Sequence, residues 1–211
     1  MKKFELTNEF IANRFGTKLF RIRALVEFGD VEAGELGGYV EKESNLGHDD
    51  NAWVYDNAWV YGNARVYGDA QVSGDARVYD NAWVYGDAQV SGDARVYGNA
   101  RVYGNAWVYG NAWVYGDAWV YGNALVCSDE DYAYAHGFGS VNRTTTFFRL
   151  KDGGVGVRCG CFYGTLAQFR DKIRETHGET KKAQEYLMLA DLMELRFEED
   201  ENEVGNRKYV E

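Results

Sequence analysis

"GDAQVSGDARVYDNAWVY", residues 68–85, is followed without a gap by "GDAQVSGDARVYGNARVY", residues 86–103. The two copies differ only at Asp80/Gly98 and Trp83/Arg101. Each spans three copies of a shorter unit, [ND]-A-x-V-[YSC]-[GDS], which runs thirteen times from Asn51 to Cys127. Ala and Val stand two apart, so on a strand they share one face, while x and the residue after Val share the other. Gly, Asp and Asn then fill the positions where a chain turns and where φ can become positive. Each hexad therefore predicts a short strand and a corner, with Ala and Val facing in. One hexad cannot bury that face alone, but a stack of them can. Eighteen residues make one triangular turn, and the run predicts a mainly β fold, a parallel β-helix of a little over four turns, roughly 20 Å long at about 4.8 Å per turn. The chain has no Pro, as befits strands that must all donate to a neighbour.

Laid out at 18-residue spacing, the outward x residues form three columns. The first is Trp53, Gln71, Gln89, Trp107 and Leu125, with Tyr55, Ser73, Ser91, Tyr109 and Cys127 beside it. The second is Trp59, Arg77, Arg95 and Trp113, beside Tyr61, Tyr79, Tyr97 and Tyr115. The third is Arg65, Trp83, Arg101 and Trp119, beside Tyr67, Tyr85, Tyr103 and Tyr121. All six Trp thus take outward positions. Rings stacked turn over turn stabilise a sheet by about 0.2–1 kcal/mol per pair, which accounts for the tyrosines. Trp and Arg sharing columns is the composition that interfaces favour, so these fourteen side chains (Trp53, Trp107, Gln71, Gln89, Ser73, Ser91, Trp59, Trp113, Arg77, Arg95, Trp83, Trp119, Arg65 and Arg101) are the candidate binding residues. On the first side Gln71/Ser73 and Gln89/Ser91 replace bulk on two adjacent turns. That predicts a polar depression, read as a shallow groove or a packing site for a neighbouring chain.

The 211 residues carry a formal charge of −10. Nucleic-acid binders show a basic stripe, and here the solenoid run 47–127 has 4 basic against 9 acidic residues, so general nucleic-acid binding is not expected. Three cysteines suit a reducing compartment better than a disulfide scaffold. "MKKFELTNEF" lacks the apolar core of a signal peptide, and no apolar run nears the ~20 residues of a membrane helix. The expectation is a bacterial cytoplasmic protein with no membrane association.

Outside the repeat, residues 1–46 read as N-terminal strands capping the solenoid's open edge, which needs covering. Residues 128–145 read as a linker loop, and 146–211 as a hairpin around Asp152-Gly153-Gly154 followed by two helices. Thr165 stands as the N-cap and Gly178 as the stop of the first helix. The second has an apolar stripe at Tyr186, Leu187, Leu189, Ala190, Leu192, Met193 and Leu195, longer than a cap requires, and is a candidate for joining subunits. Residues 198–211 read as a solvated tail.

The hexads resemble those of the hexapeptide-repeat, left-handed β-helix proteins. The segment "FGDVEAGELGGYVEKESNLGHDDNAWVYDNA" (28–58) resembles the start of YdcK-type bacterial proteins and of similar phage and prophage proteins. "TTFFRLKDGGVGVRCGCFYGTLAQFRDKIRETHG" (145–178) is similar to the C-terminal part of the phage group. The resemblance implies the left hand of the coil. It also raises acyl transfer, for which that family uses a His general base beside a pantetheine cleft.

Of His48, His136 and His177, only His136 has a loop context that suits a base, and the repeats carry no inserted loop of the family's kind. Cys159 and Cys161 are placed on one strand face. A metal site needs about four ligands, so paired core thiols are the expectation, with no metal and no cofactor. The leading expectation is a non-enzymatic solenoid, phage- or prophage-encoded, that sequesters or inhibits a host protein and self-associates as a trimer or dimer. The alternatives are an acyltransferase using His136, a nucleotide or sugar binder using the outward Trp, Tyr and Arg, and an acidic DNA mimic.

Overall fold

The computed structural model describes residues 2–139 and 143–198. The tail read as solvated, apart from Glu198, lies outside them. From Trp53 to Val126 a strand begins every sixth residue and pairs in parallel with the strand eighteen residues on. Trp53–Val54, Gln71–Val72, Gln89–Val90, Trp107–Val108 and Leu125–Val126 stack as one side. Trp59–Val60, Arg77–Val78, Arg95–Val96 and Trp113–Val114 form a second, and Arg65–Val66, Trp83–Gly86, Arg101–Gly104 and Trp119–Tyr121 a third. The three columns read from the sequence are the three sides. Every repeat Ala and Val from Ala52 to Val126 is 0% exposed, so the interior is a stack of methyl groups.

The corners turn on positive φ. Gly62, Gly68, Gly74, Gly86 and their successors hold φ between 63° and 77°, while Asp56 and Asp80 take the same conformation at 52° and 59°. What permits Asp there is its own side chain. The carboxylate of Asp56 accepts the backbone N–H of Gly74 (3.0 Å), and that of Asp80 accepts Gly98 N–H (3.3 Å), one turn further on.

Because Trp53 N–H donates to Ala70 O (3.1 Å) and Tyr55 N–H to Val72 O (2.8 Å), with every later turn alike, the solenoid has a polarity. Its first turn leaves carbonyls open and its last leaves N–H groups open. Donors close the first end. The Lys3 ammonium, whose side chain is 3% exposed, donates to Asp50 O and Ala52 O (both 2.8 Å) and pairs with the Asp50 carboxylate at 3.1 Å. Asn45 Nδ2 donates to Gly62 O (3.2 Å) and Ala64 O (2.8 Å). Acceptors close the last end. The Asp129 carboxylate takes Trp113 N–H (2.7 Å), the Thr146 hydroxyl takes Trp119 N–H (2.9 Å), and Asp131 takes Cys127 N–H (3.0 Å). These side chains satisfy backbone groups that would otherwise template pairing with another chain.

The N-terminal cap is larger than expected. Phe4–Ala12 runs as a nine-residue strand and pairs with Lys18–Ala24. Leu36–Val40 then joins the second side in parallel with Trp59–Val60, so the stack gains a turn and reaches about five. At the other end, Tyr132–Phe138 and Arg143–Arg149 are paired strands, in place of the linker loop expected over 128–145. The alternating Tyr-Ala-Tyr-Ala of 132–135 is a strand pattern, and it supplies the edge of a four-stranded sheet completed by Val155–Cys159 and Phe162–Thr165. Helices α1 (Leu166–His177) and α2 (Lys181–Phe197) follow. Thr165 caps α1 in a capping box with Gln168, and Gly178 (φ 57°) ends it. On α2, Ala183, Tyr186, Ala190, Met193 and Phe197 pack inward with Phe147, Val157 and Phe169. Met188, Leu192 and Leu195 are left exposed. Among the described residues, no helix is long and apolar enough to cross a membrane.

Candidate functional site

The outward columns are held in register by the backbone ladders, so each side chain meets the residues one turn above and below. Tyr61, Tyr79, Tyr97 and Tyr115 stack with ring centroids 4.9–5.3 Å apart. Tyr67, Tyr85, Tyr103 and Tyr121 stack at 4.3–5.0 Å. Burial within the stacks, and then the neighbouring phenols, push the Tyr79 and Tyr85 hydroxyls up to about 12.

Most of the outward Trp rings have a cation as a neighbour. On the second side, Arg77 lies over Trp59 (4.2 Å from guanidinium carbon to ring centroid) and Arg95 over Trp113 (4.6 Å). On the third, Arg65 and Arg101 flank Trp83 at 5.9 and 5.0 Å, and Trp119 lies between Arg101 (4.7 Å) and Arg158 (5.5 Å). Trp107 on the first side has the Lys151 ammonium at 4.0 Å. Intramolecular cation–π contacts are thus part of what the outward rings do, and Trp-with-Arg composition alone does not distinguish an interface.

Trp53 departs from its expected exposure. It is 0% exposed, because Phe4 and Phe28 of the N-terminal cap pack edge-on against its ring at 6.2 and 5.3 Å. A binding role for Trp53 would require the cap to leave. On the next two turns of the first side the outward residues are Gln71 and Gln89, in register, with Ser73 and Ser91 beside them. A concavity of about 420 Å³ lies on the third side, lined by Asn63, Arg65, Asn81, Trp83, Asn99 and Arg101.

Its Asn rim is a feature the column reading passed over. At the corner between the second and third sides, Asn63 Nδ2 donates to Asn81 Oδ1 (3.1 Å), Asn81 to Asn99 (3.3 Å) and Asn99 to the Asp117 carboxylate (3.0 Å). The Lys42 ammonium donates into the head of the ladder, to Asn63 Oδ1 at 3.4 Å. A cation at the donor head and a carboxylate at the acceptor tail both polarise the amides in one direction, which strengthens such a chain. The signal was present as Asn at 63, 81 and 99 with Asp at 117, at the same 18-residue spacing.

The remaining candidates scatter. His136 sits on an exposed strand rather than in a loop, its Nδ1 2.9 Å from Thr144 Oγ1 on the paired strand. His48 stacks on Phe4 at 4.4 Å and its Nδ1 accepts the Lys3 N–H. His177 stacks on Tyr186 at 5.9 Å. Cys159 ends a strand, where its sulfur accepts from the Thr145 hydroxyl (3.1 Å). Cys161 is exposed beyond a turn at Gly160, whose φ is 58°. The reversal at Gly160 keeps the two thiols off a common strand face, which corrects the reading of paired core thiols.

Comparison with protein families matches the YdcK β-solenoid repeat at residues 58–70, 70–86, 88–104, 94–110, 100–116 and 106–122. The matches stay within the stacked turns, and with the structure they establish a β-solenoid repeat protein. Comparison with curated proteins gives no match.

Proposed function

We propose that this solenoid is a non-enzymatic binding protein whose contact surface is its fourth turn. Within the repeat run 51–127, the large apolar side chains that are exposed are Trp107 (42%), Trp113 (40%) and Tyr115 (40%), and this clustering carries the reading. The rings are fixed to a rigid backbone, so little conformational entropy opposes binding. The finer reading follows the resemblance of segments 28–58 and 145–178: a left-handed coil, carried by a phage or prophage, that sequesters a host protein in the bacterial cytoplasm. Self-association as a dimer or trimer through the same turn, or through Met188, Leu192 and Leu195 of α2, belongs to the same reading.

The experiment compares wild type with Trp107→Gln and Trp113→Gln. Gln already stands at the equivalent position in residues 71 and 89, so the backbone accepts it. Each Trp has one cation from its own chain, a contact contributing roughly 0.5–1 kcal/mol at an exposed site. A Trp at an interface centre contributes 2 kcal/mol or more, about thirtyfold in affinity. Recovery from bacterial lysate, followed by native mass spectrometry, should show a stoichiometric partner or second subunit with wild type. At least one variant should lose it while keeping nearly the wild-type melting temperature. A wild type that is monomeric and recovers no partner, or variants that retain theirs, would remove the proposal.

A further inference from the structure

The four basic residues of the run 47–127 are all arginines, Arg65, Arg77, Arg95 and Arg101. Asp occupies many of the corners. Yet among the described residues none of these arginines makes an ion pair or a side-chain hydrogen bond, and their near neighbours are Trp rings. A guanidinium over a ring face keeps its N–H donors in its own plane, free for an anion. On the third side this coincides with a concavity. Arg65 and Arg101 flank Trp83 there, two turns and thus roughly 10 Å apart along the axis. The amides of Asn63, Asn81 and Asn99 line the rim. Each amide spends one N–H and one lone pair on the ladder, leaving a donor and an acceptor. Of the carboxylates at this corner, Asp80 is turned onto Gly98 N–H and Asp117 accepts from Asn99 at the end of the ladder.

We propose that this cleft binds a small phosphorylated, hydroxyl-rich molecule, its phosphates held by Arg65 and Arg101 and its hydroxyls by the Asn ladder. Both faces of Trp83 are approached by guanidiniums, so the indole orients the arginines and does not stack on the ligand. Recognition is two-point: planar forks for phosphate oxygens and amides that can donate to or accept from a hydroxyl. The spacing favours anionic groups at opposite ends of one molecule over a single anion. The site is independent of the fourth-turn surface, which involves other sides and other side chains.

The test is calorimetric titration of the full chain with two probes that carry the same chemistry from different sources. Fructose 1,6-bisphosphate has a phosphate at each end of a sugar, and ATP has its phosphates in one run. Inorganic phosphate and fructose are the controls. Saturable binding of the bisphosphate, much tighter than of inorganic phosphate, is expected. Arg65→Gln and Arg101→Gln should each weaken it by about tenfold or more, whereas Arg77→Gln on the second side should leave it unchanged. Arg101→Lys keeps the charge without the planar fork and should also weaken binding. If ATP is the tighter probe and responds to the same substitutions, the cleft is a nucleotide site and the proposal stands with that ligand. Circular dichroism and melting of each variant separate lost binding from lost fold. No saturable binding of either probe at millimolar concentration, or binding indifferent to Arg65→Gln and Arg101→Gln, would overturn it.

Discussion

Replacing Val78 by Asp places a carboxyl group at the centre of the prism. Val78 is 0% exposed and pairs in register with Val60 below and Val96 above. To enter that stack uncharged at neutral pH, an Asp of ordinary pKa near 3.9 must bind a proton against roughly three pH units, which costs about 4 kcal/mol. The neutral acid then lacks partners among methyl groups, adding about 1–3 kcal/mol. The valine's own burial, about 1.5–3 kcal/mol, is lost as well. The total, about 7–10 kcal/mol, matches the whole stability of a typical domain. Urea unfolding followed by circular dichroism should therefore show no cooperative transition for Val78→Asp near neutral pH. The proton's share of the penalty should fade as pH falls toward 4, because the carboxyl's folded pKa is raised and its unfolded form then also carries the proton. Val78→Thr keeps the shape and adds only a hydroxyl, so it should retain a transition with a lowered midpoint. A Val78→Asp protein that is soluble with the wild-type midpoint at neutral pH would refute the inward assignment of Val.

Two other perturbations read the corners and the tyrosine stacks. Gly86 has φ 71°, and a Cβ built on it would meet Gly104 N at 3.0 Å. Gly86→Ala should cost about 1–2 kcal/mol from the left-handed backbone alone, whereas Gly86→Asp should cost less, since its carboxylate can accept Gly104 N–H as Asp80 accepts that of Gly98. Equal urea midpoints for the two variants would discard that account of the corner Asp. Tyr79 and Tyr85 titrate near 12 when folded against about 10 unfolded, so the neutral phenol stabilises the fold fully below pH 10. That contribution is lost as pH rises from about 10 to 12. Absorbance titration at the tyrosinate band should show a late class of phenols ionising together with alkaline unfolding, and a single ionisation near 10 with the fold intact would contradict the stacking.

The stacked turns were legible because one interaction, the parallel ladder at eighteen residues, repeats, and the same few residue types answer it each time. Val and Ala fill the interior, Gly turns the corner, and Tyr stacks outside. The ends were less legible because each closure is made once. No periodicity announces that Lys3, 47 residues before Asp50, will donate to the carbonyls of the first turn, or that Thr146 will accept the N–H of Trp119. Trp53 shows the consequence. Its hexad differs from that of Trp107 only at the corner, Asp56 against Gly110, yet one ring is buried beneath Phe4 and Phe28 while the other is exposed beside Lys151. A repeat unit encodes which way a side chain points, and only the non-repeating flanks determine whether solvent is there to meet it. The same reasoning applies to the third-side cleft. The columns separate Arg65 and Arg101 from Asn63, Asn81 and Asn99, because a column follows one position of the hexad. The cleft joins two positions across a corner, and a site of that kind appears only when neighbouring columns are read together.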